Sequence, residues 1–313
     1  MRPGSAQATA GSRKRIRVNG IPRRAASLSG ALRVVMFAPE EMLLVAGSPS
    51  LRRAALDRIA IGRFPAYGAA LSTYTRALQQ RNGLLRAIRD ETAERSQLRY
   101  WDKPFLDAGG EVMDMRFEVL RELGAPFAAA HAEIAPEEAS RAALGLRYET
   151  NAPIRAGEGP REALERRLAE TADKEAWNGT TLVGPHRDDL SFVLGERDLA
   201  GFASRGQQRT AILAFKLAEL DLLTAIDGRP PLLLLDDVFS ELDPERRAHL
   251  VRRIASLPQA FVTTTTLDDL DAGLLEIADT WRVDANVNAT FEAPGSSGPG
   301  AATLVGPSRV SAP

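Results

Sequence analysis

Leu232-Leu233-Leu234-Leu235-Asp236-Asp237 joins four consecutive apolar side chains to two carboxylates without a break. Four apolar residues in a row suit a strand covered on both faces, the situation in the middle of a parallel sheet. Ligands of such sheets bind beyond the carboxyl ends of the strands, where the two aspartates fall. Adjacent carboxylates at that point suit Mg²⁺ and the polarisation of an attacking water. A charged strand end with no further role gives the same six letters, so the flanking residues have to separate the two readings. Downstream, Ser240-Glu241-Leu242-Asp243-Pro244 puts a proline in the first turn of a helix. Upstream, Phe202-Ala203-Ser204-Arg205-Gly206-Gln207-Gln208-Arg209 opens a helix. Ser and Gly at such a start leave backbone N–H groups and the positive end of the helix dipole facing outward, an anion site suited to a terminal phosphate. An ordinary N-cap by Ser204 is the plainer account of that motif taken alone.

Further out, the chain reads as an α/β lobe interrupted by a helical one. Residues 1–12 are small and polar and are expected to be disordered. Arg13–Val18, Asn19-Gly20 and Ile21–Ala26 read as a hairpin, because Asn-Gly supplies the positive φ angles of a tight turn. Leu32–Phe37 reads as a short buried strand stopped by Pro39. From Ser50 to about Glu175 the apolar residues recur at helical spacing, as in Tyr67–Arg89, with Pro104, Gly109-Gly110, Gly124 and Pro126 as punctuation. Thr181–Val183 and Leu190–Leu194 are expected strands around GPHRDD, Gln207–Ile226 a helix, Pro244–Ser256 a helix, and Ala260–Thr264 and Thr280–Val283 strands. The expected division is therefore 13–48 and 179–284 for the α/β lobe, 49–178 for the helical lobe, and 285–313 for a flexible tail rich in Ala, Gly, Pro and Ser.

Composition narrows the function classes. At 313 residues, 44% apolar and 26% charged, the chain can bury a core without crosslinks. It has no cysteine, which removes disulfides, thiol catalysis and thiolate zinc sites, and its three histidines lie far apart in sequence. No apolar run is long enough to span a bilayer and the N-terminus has no apolar core, so the expectation is a cytoplasmic protein with no membrane partner. Residues 1–63 hold twelve Lys or Arg against three acids, a balance of +9, while the whole chain carries −1. Such a block is a candidate footprint for DNA phosphates, centred on Arg13-Lys14-Arg15, Arg17, Arg23-Arg24 and Arg52-Arg53; cations met by acids elsewhere in the fold would look the same.

In this order and spacing the three central motifs resemble the signature, Walker B strand and D-loop of ABC ATPases. The wording SRGQQRTAILAFKLAEL, LLLLDDVFSELD and GPHRDDLSF is that of the RecF family, DNA-repair proteins of the SMC-like branch. LRVVMFAPE, GSPSLRRAALD and PAYGAALSTYTRALQQRNGLLR extend the likeness over about residues 13–284. The resemblance implies an ABC-type head with an α/β lobe I and an inserted helical lobe II. It implies that Asp236 is the Mg²⁺-side carboxylate and Asp237 the base that polarises water. Ser204, Gly206 and Gln207 would face the γ-phosphate of ATP held by the opposite subunit of a homodimer, with Ser240 and Asp243 across the same interface. Thr263 and Thr264 lie where ABC proteins carry a switch histidine and receive no role, and neither does His186 of GPHRDD. The implied partners are duplex and single-stranded DNA at gap junctions, RecR and RecO, in recombinational repair, replication restart and the SOS response. The helical insertion after LRVVMFAPE argues against an ABC transporter subunit, and it is too short for a long coiled coil.

One part of the family pattern is missing. The four lysines, Lys14, Lys103, Lys174 and Lys216, offer no Gly-Lys-Ser/Thr run, and Gly47-Ser-Pro-Ser-Leu-Arg fails because Pro49 removes an amide donor. The sequence is thus expected to begin after the phosphate loop, as from a truncated gene or a misassigned start codon. Lobe I would then be incompletely packed, and the chain by itself would neither bind nor hydrolyse ATP. A catalytically dead DNA-binding scaffold of the same family is the alternative.

Overall fold

The computed structural model describes residues 16–23, 32–270, 272–283, 289–292 and 302–307. The chain divides into two compact units, Met1–Leu32 and Arg33–Pro313. In the first, β1 (Ile16–Val18) and β2 (Ile21–Arg23) form an antiparallel hairpin. Its turn holds Asn19 at φ 50° and Gly20 at φ 79°, the left-handed pair that Asn-Gly accommodates. Residues 1–12 and Arg24 lie outside the described residues.

The second unit opens with β3 (Val34–Phe37) and passes through α1 (Leu43–Ala46) and α2 (Pro49–Arg63) into α3 (Tyr67–Arg89) and α4 (Arg99–Ile134). After α5 (Pro136–Arg141) come β4 (Leu144–Glu149), α6 (Pro160–Asn178), β5 (Asp189–Leu194), β6 (Arg197–Asp198) and α7 (Leu199–Phe202). Then follow α8 (Arg205–Asp227), β7 (Leu232–Asp236), α9 (Pro244–Ala255), β8 (Ala260–Thr264), α10 (Ala272–Ile277), β9 (Ala278–Val283), β10 (Ala289–Glu292) and β11 (Ala302–Pro307). The main sheet runs β10-β9-β11-β8-β7-β3. Its β3, β7 and β8 are parallel, and the other pairings are antiparallel. A second, antiparallel sheet runs β4-β5-β6.

α8 lies in the core. Ile212, Leu213, Ala214, Phe215, Leu217 and Leu220 are all buried, so the helix is covered on nearly every side. Phe215 meets Phe192 of β5 and Phe127 of α4 edge-on, at ring separations of 5.4 and 6.1 Å. One continuous apolar cluster thus joins the sheet, α8 and the long helix α4. A second cluster, around Tyr74, Phe105 and Leu164, holds α3, α4 and α6 together.

Several expectations need correcting. Pro104, Gly109-Gly110, Gly124 and Pro126 do not break the helical block: α4 runs 36 residues through all of them. At Gly110 the reason is close approach, since a Cβ there would lie 2.8 Å from Cβ of Arg161 in α6. Thr181–Val183 is not a strand. Its amides are taken by side chains instead: Thr181 N–H donates to Asn82 Oδ1 at 2.7 Å and Leu182 N–H to Glu175 Oε1 at 2.7 Å. The stretch read as wholly helical contains β4, whose inward Leu144 and alternating Leu146 and Tyr148 carry a period of two. Two strands, β10 and β11, lie within the stretch read as a tail.

β7 lies one strand in from the edge and is parallel to both neighbours, yet only one of its faces is fully covered. Leu233 and Leu235 are buried while Leu232 and Leu234 are half-open. Met36 and Phe261 flank Leu234 in register on that second face and are 45% and 39% exposed. β3 has no second neighbour among the described residues.

Candidate functional site

The apolar run of β7 delivers Asp236 to the exposed carboxyl end of the strand, level with Thr263 of β8. Thr263 joins the two aspartates. Its hydroxyl donates to Asp236 Oδ1 at 2.5 Å and accepts the Asp237 N–H at 3.2 Å, while its carbonyl accepts the same N–H at 3.1 Å. Asp237 is held at φ 49°, a left-handed conformation that costs a non-glycine residue about 1 kcal/mol or more. Ser240 Oγ donates to the Asp237 carbonyl at 2.9 Å, so the turn after β7 is fixed from both sides. The Asp237 Oδ1 atom is buried with no hydrogen-bond partner among the described residues. Thr263 could not be assigned this role from sequence, because a contact between neighbouring strands depends on their register.

Ser204 caps α8 in a reciprocal box: its hydroxyl accepts the Gln207 N–H at 3.2 Å and its own N–H donates to Gln207 Oε1 at 3.0 Å. The capping account of Ser204 therefore holds, and the Gln207 amide oxygen faces the cap. Gly206 follows on the first turn, where a Cβ would meet nothing closer than Ser204 Oγ at 3.8 Å. Asp243 caps α9, its Oδ1 accepting the Arg246 N–H at 3.0 Å, and its carboxylate pairs with the Arg246 guanidinium. Burial pushes that carboxyl upward, but these donors hold it below the usual carboxylate range. Gly206, Ser240 and Asp243 converge on a single cavity of about 290 Å³, completed by Arg209, Leu242 and Arg246. The two arginines escaped the sequence reading.

The GPHRDD turn is a buried junction. Arg116 donates to the Pro185 carbonyl at 2.8 Å, Arg53 to the Asp188 carbonyl at 2.8 Å, and Tyr148 to Asp188 Oδ2 at 2.8 Å. His186 Nδ1 lies 2.5 Å from the Tyr74 hydroxyl and Nε2 faces the Thr181 carbonyl at 3.4 Å; burial pushes the ring's pKa down to about 4, so it is neutral, and with its proton on Nε2 it accepts the hydrogen bond from Tyr74. Gly184 at φ +125° is required there, because a Cβ would fall 2.6 Å from the same hydroxyl. Arg52, an expected DNA contact, is buried. It makes two hydrogen bonds to Asp189, at 2.8 and 2.7 Å, and a third at 2.7 Å to the Gly47 carbonyl. Its charge is satisfied inside the fold, which corrects that expectation. Arg53 retains no acid partner among the described residues, and Arg23 is exposed in β2.

Among the described residues no three His, Cys, Asp or Glu side chains group to hold a metal, and no helix is long and apolar enough to cross a membrane. No family model matches the sequence. Over 274 residues the chain is 41% identical to the DNA replication and repair protein RecF of Herpetosiphon aurantiacus, covering 87% of this chain and 69% of that protein. The chain belongs to the RecF family. The RecF of Thermomicrobium roseum is 38% identical over 291 residues, 87% of this chain and 72% of its own. The solved recombination mediator protein RecF with ATP, of the RecFOR pathway, superposes with a TM-score of 0.74 at 30% identity, over 83% of this chain and 69% of that one. The head expected of a RecF protein is thus the fold observed.

Proposed function

We propose that this chain serves DNA replication and repair as RecF proteins do, by presenting a signature and D-loop face to ATP bound on another RecF subunit. The observation that carries the reading is the convergence of Gly206, Ser240 and Asp243 on one cavity beside the N-terminus of a core helix. Backbone N–H groups and the helix dipole at that point favour a terminal phosphate. On the other side of the D-loop, Asp236 would hold Mg²⁺, and the unpartnered Oδ1 of Asp237 would orient a water.

The residues present fit the γ-phosphate end of a nucleotide and not its cradle. The 313 residues contain no Gly-x-x-x-x-Gly-Lys-Ser/Thr run to wrap a triphosphate, so what they offer to ATP is the signature face, met by a nucleotide held on a partner subunit. In that arrangement Ser204 and Gly206 would bind, Ser240 would steady the Asp237 turn, and the carboxylates would act only where a phosphate loop in the same subunit completes the site. We also propose the division into lobe I, 13–48 with 179–284, and an inserted lobe II, 49–178. DNA, RecR and RecO are the proposed partners, following the RecFOR pathway of the solved relative, and a cytoplasmic address goes with that role.

The test mixes the chain with an ATP-binding RecF subunit and follows association by analytical ultracentrifugation. Association should require ATP and should be abolished by Ser204→Arg, which fills the signature face. Nucleotide-independent behaviour of the unmodified chain would refute the reading.

A further inference from the structure

Two loops that are far apart in sequence line the same cavity, and something must hold them in register. Arg246 of α9 makes four connections. Its backbone N–H and its guanidinium both engage Asp243, its Nε donates to Thr210 Oγ1 at 2.7 Å, and its third nitrogen lies 3.7 Å from Glu138 of α5. Thr210 is 1% exposed, on the first turns of α8, and its hydroxyl donates onward to the Gly206 carbonyl at 3.0 Å. A chain of hydrogen bonds therefore runs Asp243–Arg246–Thr210–Gly206, from the D-loop cap to the signature glycine. Three of its four members, Gly206, Asp243 and Arg246, line the cavity itself.

We infer that Arg246 is a positioning residue that cross-links the D-loop to the signature turn, so that the two motifs meet a phosphate as one preformed surface. A planar guanidinium can make such a cross-link because its nitrogens diverge in fixed directions, toward Asp243, Thr210 and Glu138 at once. A lysine ammonium on a flexible stem cannot reproduce that geometry. Thr210 is the relay, because one hydroxyl can accept from Arg246 while donating to Gly206. The Glu138 contact ties the same guanidinium to the helical part of the molecule. The role in binding rests on the function proposed above; the cross-link itself does not.

Hydrogen exchange on the isolated chain tests the cross-link, with Arg246→Gln, Arg246→Lys and Thr210→Val. Thr210→Val removes one hydroxyl at constant shape and reaches residues 240–247 only through the Arg246 side chain. Residues 240–247 should nevertheless exchange on the order of tenfold faster in it, as should residues 205–210 in Arg246→Gln. Arg246→Lys should not restore protection. If each variant loosens only its own segment, the inference is overturned. ATP-dependent association with an ATP-binding RecF subunit then separates the two ideas. Weakening of about tenfold in both Arg246→Gln and Thr210→Val, with no further loss when they are combined, is the expected result. Unaltered association in variants whose exchange has changed would sink the positioning role while leaving the signature reading intact. Absence of association by the unmodified chain would refute that reading and leave the exchange result to decide the cross-link.

Discussion

Asp237 combines two unfavourable features, a left-handed backbone at φ 49° and a buried carboxylate oxygen without a partner. Both are relieved by Asp237→Gly, so denaturant unfolding of that variant should show a gain of roughly 1 kcal/mol, and a loss of that size would mean the carboxylate is bound in a way that stabilises the turn. His186 makes a second case. Its folded pKa of about 4 lies below the ordinary value of 6.5, so between those limits the unfolded chain takes up more protons than the folded one. Stability should fall as pH drops from 6.5 to 4, by at most about 3 kcal/mol from this residue, and His186→Gln should make melts across that range less pH-dependent. His131 and His249 are also shifted down by burial and add to the slope in the parent, so it is the difference between the two profiles that isolates His186. Neither feature is visible in the letters. The aspartate pair can be read from the sequence, but its clamp by Thr263 needs the β7–β8 register, and the neutrality of His186 needs to know that Tyr74, 112 positions away, lies against it.

At the level of elements, periodicity identified α3 to its ends and placed β7, β8 and α8 within a residue or two. Periodicity misleads where glycine and proline read as punctuation, because those residues have packing reasons to occur inside a helix. α4 contains both kinds of glycine, and they can be told apart. At Gly110 an added Cβ would lie 2.8–3.1 Å from the Cβ, Cα and N of Arg161, and backbone of a packed helix cannot move aside cheaply. At Gly124 nothing lies within 4 Å. Thermal or urea unfolding should therefore find opposite signs: Gly110→Ala destabilises by about 1–3 kcal/mol, and Gly124→Ala stabilises by roughly 0.5–1 kcal/mol through helix propensity. Equal effects would mean that α4 and α6 are not in such close contact. The missed strand β4 teaches the converse point, since Leu144, Leu146 and Tyr148 alternate correctly but are too few to outweigh a long helical neighbourhood.

At the scale of the whole molecule, two surface properties were expected from the sequence, and the fold treats them differently. The half-open face of β7, flanked by Met36 and Phe261, lies beside β3, which has no second neighbour among the described residues. Part of the +9 charge of residues 1–63 is met within the fold. Arg33 pairs with Asp227, Arg52 with Asp189, Arg58 with Glu41 and Arg63 with Glu122, so four of the twelve cations are matched by acids, three of them distant in sequence. Three of those partners, Asp227, Asp189 and Glu122, lie outside the counted block. Phosphate contacts within this block have to draw on the cations left over, and among the described ones Arg17 and Arg23, both exposed in the β1–β2 hairpin, qualify. The consequence is a contrast measurable by salt titration of duplex-DNA affinity. Each phosphate contact releases counterions and contributes about 0.9 to the slope of log affinity against log salt. Neutralising Arg17 and Arg23 together should flatten that slope by roughly one to two units, with little dependence on DNA sequence. Arg52→Ala should leave the slope unchanged while lowering stability by about 3 kcal/mol, because it strands Asp189 and three capped carbonyls in a part-buried site. If Arg52→Ala flattens the slope and the double variant does not, the guanidinium must leave its pocket to meet DNA, and the reading of this surface from the fold would be reversed.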